Sequence, residues 1–354
     1  MRVLVTGAAG FIGSAFVRRV LAAHPEDEVV GYDLLTYAGN PANLEELRGE
    51  PRFRFVVGDI ADAPAVDAVV READVVVNFA AETHVDRSLL DPDAFARANV
   101  DGVVTLLQAV KAHGKRMLQV STDEVYGDVE GEARSREGDP LLPRSPYAAA
   151  KAGGELMCRA YAISYGTDVV VTRGANTIGP RQYPEKMVPL FVTNALQERP
   201  LPVYGDGLQM RDWLHVSDHC AAIWTILHAP RVPVTYEAAT RPELLPIYDV
   251  SARNERTNLE IVERVLALLG KRPEEWIEHV PDRPNHDRRY LIDPAKLERE
   301  LDWKPRVGFD EGIEETVKWY VDHRPWWEAI LARTGNLAFD WAAGTASRAP
   351  SGSR

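Results

Sequence analysis

The stretch Met1-Arg-Val-Leu-Val-Thr6, running into Gly7-Ala-Ala-Gly10-Phe11-Ile12-Gly13, decides the fold. Its first residues are a short apolar run that reads as a buried strand, and the apolar stretch after Gly13 reads as a helix. The glycines between them have the spacing of a dinucleotide-binding turn. Gly7 permits the tight turn, Gly10 lets the backbone approach a pyrophosphate, and Gly13 lets the helix pack on the strand. The helix N-terminus then offers unpaired N–H groups to the phosphates. Twenty residues beyond Gly13, a second strand, Val29-Val-Gly-Tyr-Asp33, ends in an acid. An acid there holds the ribose hydroxyls and repels a 2'-phosphate, so NAD is the expected cofactor.

Outward from this turn, Arg54-Phe-Val-Val57, Asp74-Val-Val-Val-Asn-Phe79, Arg116-Met-Leu-Gln-Val120 and Asp168-Val-Val-Val-Thr172 read as further buried strands separated by helical stretches. The alternation predicts an α/β fold, a Rossmann-like doubly wound parallel sheet with helices on both faces. Ligands of such sheets bind at the carboxyl ends of the strands, where Gly7, Asp33, Ala80 and Ser121 all fall. Residues 1–175 are therefore expected to form the NAD-binding Rossmann domain. From residue 176 the rhythm weakens and proline, glycine and aromatic residues increase. Residues 176–330 are expected to form a smaller α/β substrate-binding region, with some chain returning to the first domain. Within it, Asn258-Leu-Glu-Ile-Val-Glu-Arg-Val-Leu begins an amphipathic core helix capped by Thr257 or Asn258. Residues 331–354 are expected to be a C-terminal tail, its small polar last dozen residues disordered.

Two further segments carry chemistry. Val120-Ser-Thr-Asp-Glu-Val-Tyr-Gly127 places hydroxyls and two adjacent carboxylates just past a strand. Thr122 can grip a sugar hydroxyl, while Asp123 and Glu124 can divide proton donation and removal if their environments separate their pKa values. Ser145-Pro-Tyr147-Ala-Ala-Ala-Lys151 opens a helix predicted to run to about Tyr165. Residues four apart share a helix face, so Lys151 can sit beneath Tyr147 and favour its phenolate. Bringing a tyrosine from a pKa of about 10 to near 7 takes about 4 kcal/mol, for which a buried lysine and a nicotinamide positive charge are the expected source.

With these motifs the chain resembles the extended short-chain dehydrogenases/reductases, and within them the nucleotide-sugar 4,6-dehydratases of the dTDP-glucose type, over about residues 1–325. The resemblance rests on the glycine turn, Asp33-Leu-Leu-Thr-Tyr-Ala-Gly-Asn40, Ala80-Ala81-Glu-Thr83-His84-Val-Asp-Arg-Ser88, the Asp123-Glu124 segment and Tyr147 with Lys151. It extends through Pro184-Glu-Lys186, Val203-Tyr-Gly-Asp-Gly207, Arg211-Asp-Trp213 and Arg283-Pro-Asn-His286-Asp-Arg288. The resemblance implies NAD contacts at Phe11, Ile12, Asp59, Ile60, Ala80 and Ala81. It also implies that Thr83, His84, Asn176, Lys186, Arg211, His286 and Arg288 hold a nucleotide-diphosphate sugar. Asn99 would tie a helix to a strand. The implied reaction oxidises carbon 4 through Tyr147, eliminates water through Glu124 and Asp123, and returns hydride to carbon 6. A homodimer through Val103-Val-Thr-Leu-Leu and Leu156-Met157 is implied as well. The chain departs from the family where it reads Asn176-Thr-Ile-Gly-Pro180 for Asn-Asn-Tyr-Gly-Pro, and in a longer stretch from Tyr236 to Asn254. Both departures are expected to lie in the substrate region. A 4,6-dehydratase of another nucleotide hexose, a 4-epimerase and a non-enzymatic NAD-binding scaffold are the alternatives, and the carboxylate pair argues for the dehydratase.

Global properties agree. Only Cys158 and Cys220 occur, and the N-terminus is itself the first strand, so a reducing cytoplasm is expected. No apolar run is long enough to span a membrane. A formal net charge of -12 argues against nucleic acid as a partner. Two anionic ligands on an acidic protein need local positive charge, for which Arg181, Lys186, Arg211, Arg288 and Arg289 are the candidates. No metal site is expected.

Overall fold

A computed structural model describes residues 1–231, 240–241, 246–284 and 286–335. Its centre is a seven-stranded sheet of β1 (Arg2–Thr6), β2 (Glu28–Asp33), β3 (Phe53–Val57), β4 (Val75–Asn78), β5 (Arg116–Thr122), β6 (Val169–Gly174) and β10 (Ile247–Val250). Their spatial order is β10-β6-β5-β4-β1-β2-β3, and every neighbouring pair is parallel. The order reverses between β1 and β4, which opens the crevice where such sheets bind dinucleotides.

Alternation along the strands builds a core on each face. Val3, Val5, Val29, Val77 and Leu118 face the helices Phe11–Ala23 and Val216–Leu227. Leu4, Val30, Val76 and Met117 face the helices Ala63–Glu72, Gly102–His113 and Pro146–Tyr165. Each fully buried side chain of this kind contributes about 1.5–3 kcal/mol. Pro146–Tyr165 begins where Ser145 accepts a hydrogen bond from Ala148 N (3.1 Å) and ends at Gly166 in the left-handed conformation, φ 65°.

The chain beyond β6 keeps more regular structure than its composition suggests. β7 (Asn176–Ile178) pairs parallel with β9 (Met210–His215), which pairs antiparallel with β11 (Glu255–Thr257). β8 (Leu201–Tyr204) pairs parallel with β12 (Ile277–Val280). A third core joins the helices Met187–Leu196, Asn258–Leu268 and Phe309–Asp322 around Phe191, Val265, Ile313 and Trp327. Thr257 caps the helix Asn258–Leu268 through a capping box with Glu260.

The stretch 236–254 is divided. Residues 236–239 and 242–245 lie outside the described residues, as do Asn285 and the tail from 336. Ile247–Val250 corrects the expectation that this stretch belongs to the substrate region, because it is the edge strand of the main sheet beside β6. Among the described residues no helix is long and apolar enough to cross a membrane.

Candidate active site

At the mouth of β1, Gly7 adopts φ +68°, and a Cβ there would lie 2.6 Å from Ala80 N. A Cβ on Gly13 would lie 2.2 Å from the Gly7 carbonyl oxygen. Both positions accept only glycine without moving backbone. No side chain caps the helix Phe11–Ala23, so its first N–H groups remain available to an anion. Asp33 Oδ2 accepts from Ala9 N (2.9 Å) and Oδ1 from Leu35 N (2.7 Å), which fixes the carboxylate at the crevice wall. Burial raises its pKa, and the Leu35 and Ala9 amides pull it back. Asp59 accepts from Ala61 N (2.8 Å) and pairs with Arg97 (2.9 Å), while Ile60 is buried beside it. The resulting crevice of about 360 Å³ is lined by Gly7, Gly10, Phe11, Ile12, Gly13, Asp33, Asp59, Ile60, Ala80 and Ala81, and continues to Thr122, Tyr147 and Lys151. A glycine cradle, an uncapped helix N-terminus and an acid at the second strand fit NAD. Asn99 pairs both ends of its amide with the Glu82 backbone (3.0 Å each) and holds the loop after β4.

The two carboxylates sit in a single turn, Asp123–Tyr126, at the end of β5. Thr122 Oγ1 donates to Asp123 Oδ1 (3.2 Å) and accepts from Glu124 N (3.3 Å). Asp123 Oδ2 and Glu124 Oε2 are buried without a hydrogen-bond partner among the described residues. Orphaned carboxylate oxygens are costly unless a ligand completes them. Burial, reinforced by Glu124, pushes Asp123 up to about 8. Burial also raises Glu124, against the pull of Arg283, Arg211 and Lys186. Asp123 is therefore the member of the pair that keeps its proton at neutral pH.

Tyr147 enters from the first turn of its helix, hydrogen-bonding Thr122 and Thr83 and meeting the Phe95 ring edge-on at 6.2 Å. Lys151, one turn on, donates Nζ to the Val120 carbonyl oxygen (2.7 Å), and burial lowers it to about 8. The expected phenolate rests on Lys151 together with a nicotinamide positive charge, and the chain itself supplies only the first of these. Burial and the neighbouring Glu124 carboxylate raise Tyr147 well above the usual phenol range. The residues of the chain alone therefore favour the neutral phenol.

A second cavity of about 200 Å³ shares Thr83, Glu124, Tyr147, Asn176, Lys186 and Trp213 with the crevice. His84, Arg211, Arg283, His286, Tyr204 and Tyr290 also line it. Lys186 Nζ donates to Thr83 Oγ1 (3.0 Å). Arg211 donates to the carbonyls of Asp287 (2.9 Å) and Met210 (2.7 Å) and lies 4.0 Å over the Tyr290 ring. His286 Nδ1 meets Asp282 Oδ1 at 2.6 Å, yet burial, with Arg283 and Arg211 adding, pushes it down to about 3. Both His84 and His286 are thus neutral near pH 7, His84 being lowered by burial and then by Lys186.

Arg288 is the misplaced member of the sequence-predicted set. Its side chain is 51% exposed and paired with Asp206 (2.8 Å), outside the cavity. Arg181 pairs with Glu46 (2.8 Å) and Arg289 with Glu255 (3.0 Å), so of the five candidate cations only Lys186 and Arg211 line the second cavity. The cation missed as a site residue is Arg283, held by Asp86 (3.2 Å). It lies in the same segment, Arg283 to Arg288, but an irregular loop has no periodicity to reveal which arginine faces inward.

A parallel α/β sheet whose switch-point crevice opens into a cavity carrying Lys186, Arg211 and Arg283, with a Tyr–Lys helix and a carboxylate pair between them, defines an extended short-chain dehydrogenase/reductase. A family profile described as GDP-mannose 4,6 dehydratase matches residues 4–316. The dTDP-glucose 4,6-dehydratase of Streptomyces niveus is 46% identical over 335 residues, 93% of this chain and 96% of that protein. A crystal structure of the dTDP-glucose 4,6-dehydratase of Streptomyces venezuelae, with NAD bound, superposes with a TM-score of 0.87 at 47% identity, covering 93% of this chain and 100% of that one. The UDP-glucose 4-epimerase of Thermus thermophilus, also with NAD, follows at 32% identity and TM-score 0.81, covering 91% of this chain and 100% of that one. The chain belongs to the dTDP-glucose 4,6-dehydratase family.

Proposed function

We propose that the protein is an NAD-dependent dTDP-glucose 4,6-dehydratase, a hydro-lyase that produces a 4-keto-6-deoxy sugar nucleotide. The observation that carries this reading is the buried Asp123–Glu124 pair beside Tyr147, with Glu124 and Tyr147 on the wall common to both cavities. An epimerase shares the crevice and the Tyr–Lys helix, but its chemistry requires no acid–base pair for elimination.

In this reading Tyr147 removes the proton of the sugar 4-hydroxyl, and Thr122 and Lys151 orient the reacting groups. Bound NAD would supply the positive charge that favours the Tyr147 phenolate, the acceptor for the carbon-4 hydride, and the later return of that hydride to carbon 6. The new ketone acidifies carbon 5, and Glu124 removes that proton. Asp123, protonated at neutral pH, donates to the departing 6-hydroxyl as water leaves. Glu124 then returns a proton to carbon 5. Gly7, Gly10, Phe11, Ile12, Gly13, Asp33, Asp59, Ile60, Ala80 and Ala81 hold the cofactor. Thr83, His84, Asn176, Lys186, Arg211 and His286 hold the nucleotide-diphosphate sugar, and Arg283 takes the place assigned to Arg288.

The same reading includes a cytoplasmic homodimer. Val103, Leu106 and Leu107 are buried in the core, so the expected contact through them is withdrawn. The outer face of the helix Pro146–Tyr165 instead exposes Leu156 and Ile163, and supports the contact. Sedimentation as a dimer at micromolar concentration is expected, and a monomer would remove it.

Purified protein should be incubated separately with dTDP-glucose, UDP-glucose and GDP-mannose, and the products weighed by mass spectrometry. Loss of one water from dTDP-glucose in preference to the others is expected. Unchanged mass with inverted carbon 4 would mean epimerisation.

A further inference from the structure

Beneath the catalytic turn lies a second buried polar network whose side chains line neither cavity. Its hub is Arg173 on β6, 3% exposed. Arg173 Nε donates to both Glu155 carboxylate oxygens (3.0 and 3.1 Å), and its terminal nitrogens reach Glu155 Oε1, the Tyr126 hydroxyl and the Glu137 carbonyl (3.3 Å). The Tyr126 hydroxyl in turn donates to the Asp249 carboxylate on β10 (3.0 Å to each oxygen). Glu155 is not a random residue of its helix. Tyr147, Lys151 and Glu155 recur every four residues and share one face. Tyr126 closes the turn that carries Asp123 and Glu124. One guanidinium therefore grips both elements that bear the proton-transfer groups.

We propose that Arg173 and Tyr126 are positioning residues, a clamp that keeps the Asp123–Glu124 turn in register with the Tyr147 helix. The proposal rests on the dehydratase reading above. Proton removal there occurs at groups on adjacent sugar carbons, so Glu124 and Tyr147 must hold a fixed separation, and an error of about 1 Å can cost about 10²-fold in rate. The two elements are not equally anchored. The helix keeps a second tie through Lys151 to the Val120 carbonyl (2.7 Å), whereas the turn is held by Thr122 at its start, by Leu142 N donating to the Val125 carbonyl (3.0 Å) in its middle, and at its end by the Tyr126 hydroxyl, on which the helix does not depend. Releasing the hydroxyl moves the turn more than the helix, so elimination suffers more than oxidation.

The test uses the full chain with Tyr126→Phe and Arg173→Lys, in single turnover with dTDP-glucose. Rising reduced-nicotinamide absorbance reads oxidation, product mass reads elimination, and Tm is measured beside both. The clamp predicts oxidation within about threefold of the parent, elimination slowed about tenfold or more, and reduced cofactor accumulating. Asp249→Asn, which leaves Tyr126 an acceptor, should keep the parental ratio of the two rates. A lower Tm with that ratio unchanged in Tyr126→Phe and Arg173→Lys would overturn the clamp. If one variant fails to fold, the ratio in the other decides. A parent that forms neither reduced cofactor nor product would defeat the dehydratase reading instead, so the two failures are distinct.

Discussion

The cofactor crevice and the substrate cavity share a wall but are built in different ways. The crevice is mainly assembled from short segments that follow the ends of neighbouring strands: Gly7–Gly13 after β1, Asp33 at the end of β2, Asp59–Ile60 after β3 and Ala80–Ala81 after β4. Gly7–Gly13 works through its own backbone conformation, and Asp33 through a carboxylate fixed by the amides of Ala9 and Leu35. The cavity is assembled from residues far apart in sequence. Arg283 and Asp86, whose side chains meet at 3.2 Å, are 197 positions apart. A site made of local turns is specified residue by residue, whereas one made of remote side chains is specified only once the second lobe has folded over the first.

The largest effect is expected on the shared wall. Glu124→Gln should retain oxidation and lose elimination by about 10²–10⁴-fold, so that reduced cofactor accumulates on a sugar that has not lost water. Normal dehydration by this variant would remove the carboxylate pair from the account. In the cavity, Arg283→Ala removes the arginine paired with the buried Asp86 carboxylate and one of the cations lining the cavity, and should raise the KM for the nucleotide sugar by about 30-fold or more. Arg288→Ala on the surface should change KM less than about twofold. The reverse ranking would show that the loop carrying both arginines turns the other way when substrate is bound.

In the crevice, Gly13→Ala forces a Cβ to within 2.2 Å of the Gly7 carbonyl oxygen. The turn must open, at a cost of about 1–3 kcal/mol in NAD binding or fold stability, measurable by calorimetry and thermal melting. Unchanged affinity and Tm would show the turn to be softer than its contacts imply.

A smaller effect concerns pH. Elimination needs Asp123 protonated, so activity should fall as pH rises through about 8. The same shift has a stability consequence. The folded pKa lies above the unfolded value, so between about pH 4 and pH 8 the native state holds a proton that the unfolded chain has released. Asp123 therefore costs increasing stability as pH rises across that window. Asp123→Asn should raise Tm, more at pH 8 than at pH 5, while slowing elimination. A pH-independent difference in Tm would mean that Asp123 is ionised in the folded protein.

The same contrast explains what the sequence revealed. The sheet, the glycine turn, Asp33 and the helix beginning at Pro146 were legible because strand alternation, glycine geometry and helix capping act over a few residues. The seventh strand, Ile247–Val250, is not legible as part of the sheet, since four residues give too short a pattern and its partner β6 lies far back in the chain. Arg288 and Arg283 are indistinguishable in the sequence for a related reason. Both are arginines in one irregular loop, and only the opposing Asp86 and Asp206 sort one inward and the other outward. Tyr147 shows a third limit, because Tyr-x-x-x-Lys spacing predicts proximity but carries no information about how strongly burial and Glu124 oppose the phenolate.

The most direct test of the central claim follows one hydrogen. Protein is given dTDP-glucose deuterated at carbon 4, and the label is located in the product by NMR. Dehydration with internal hydride return predicts a 4-keto product carrying the deuterium at carbon 6. Deuterium found back at carbon 4 of an inverted sugar would contradict the account and make the protein an epimerase.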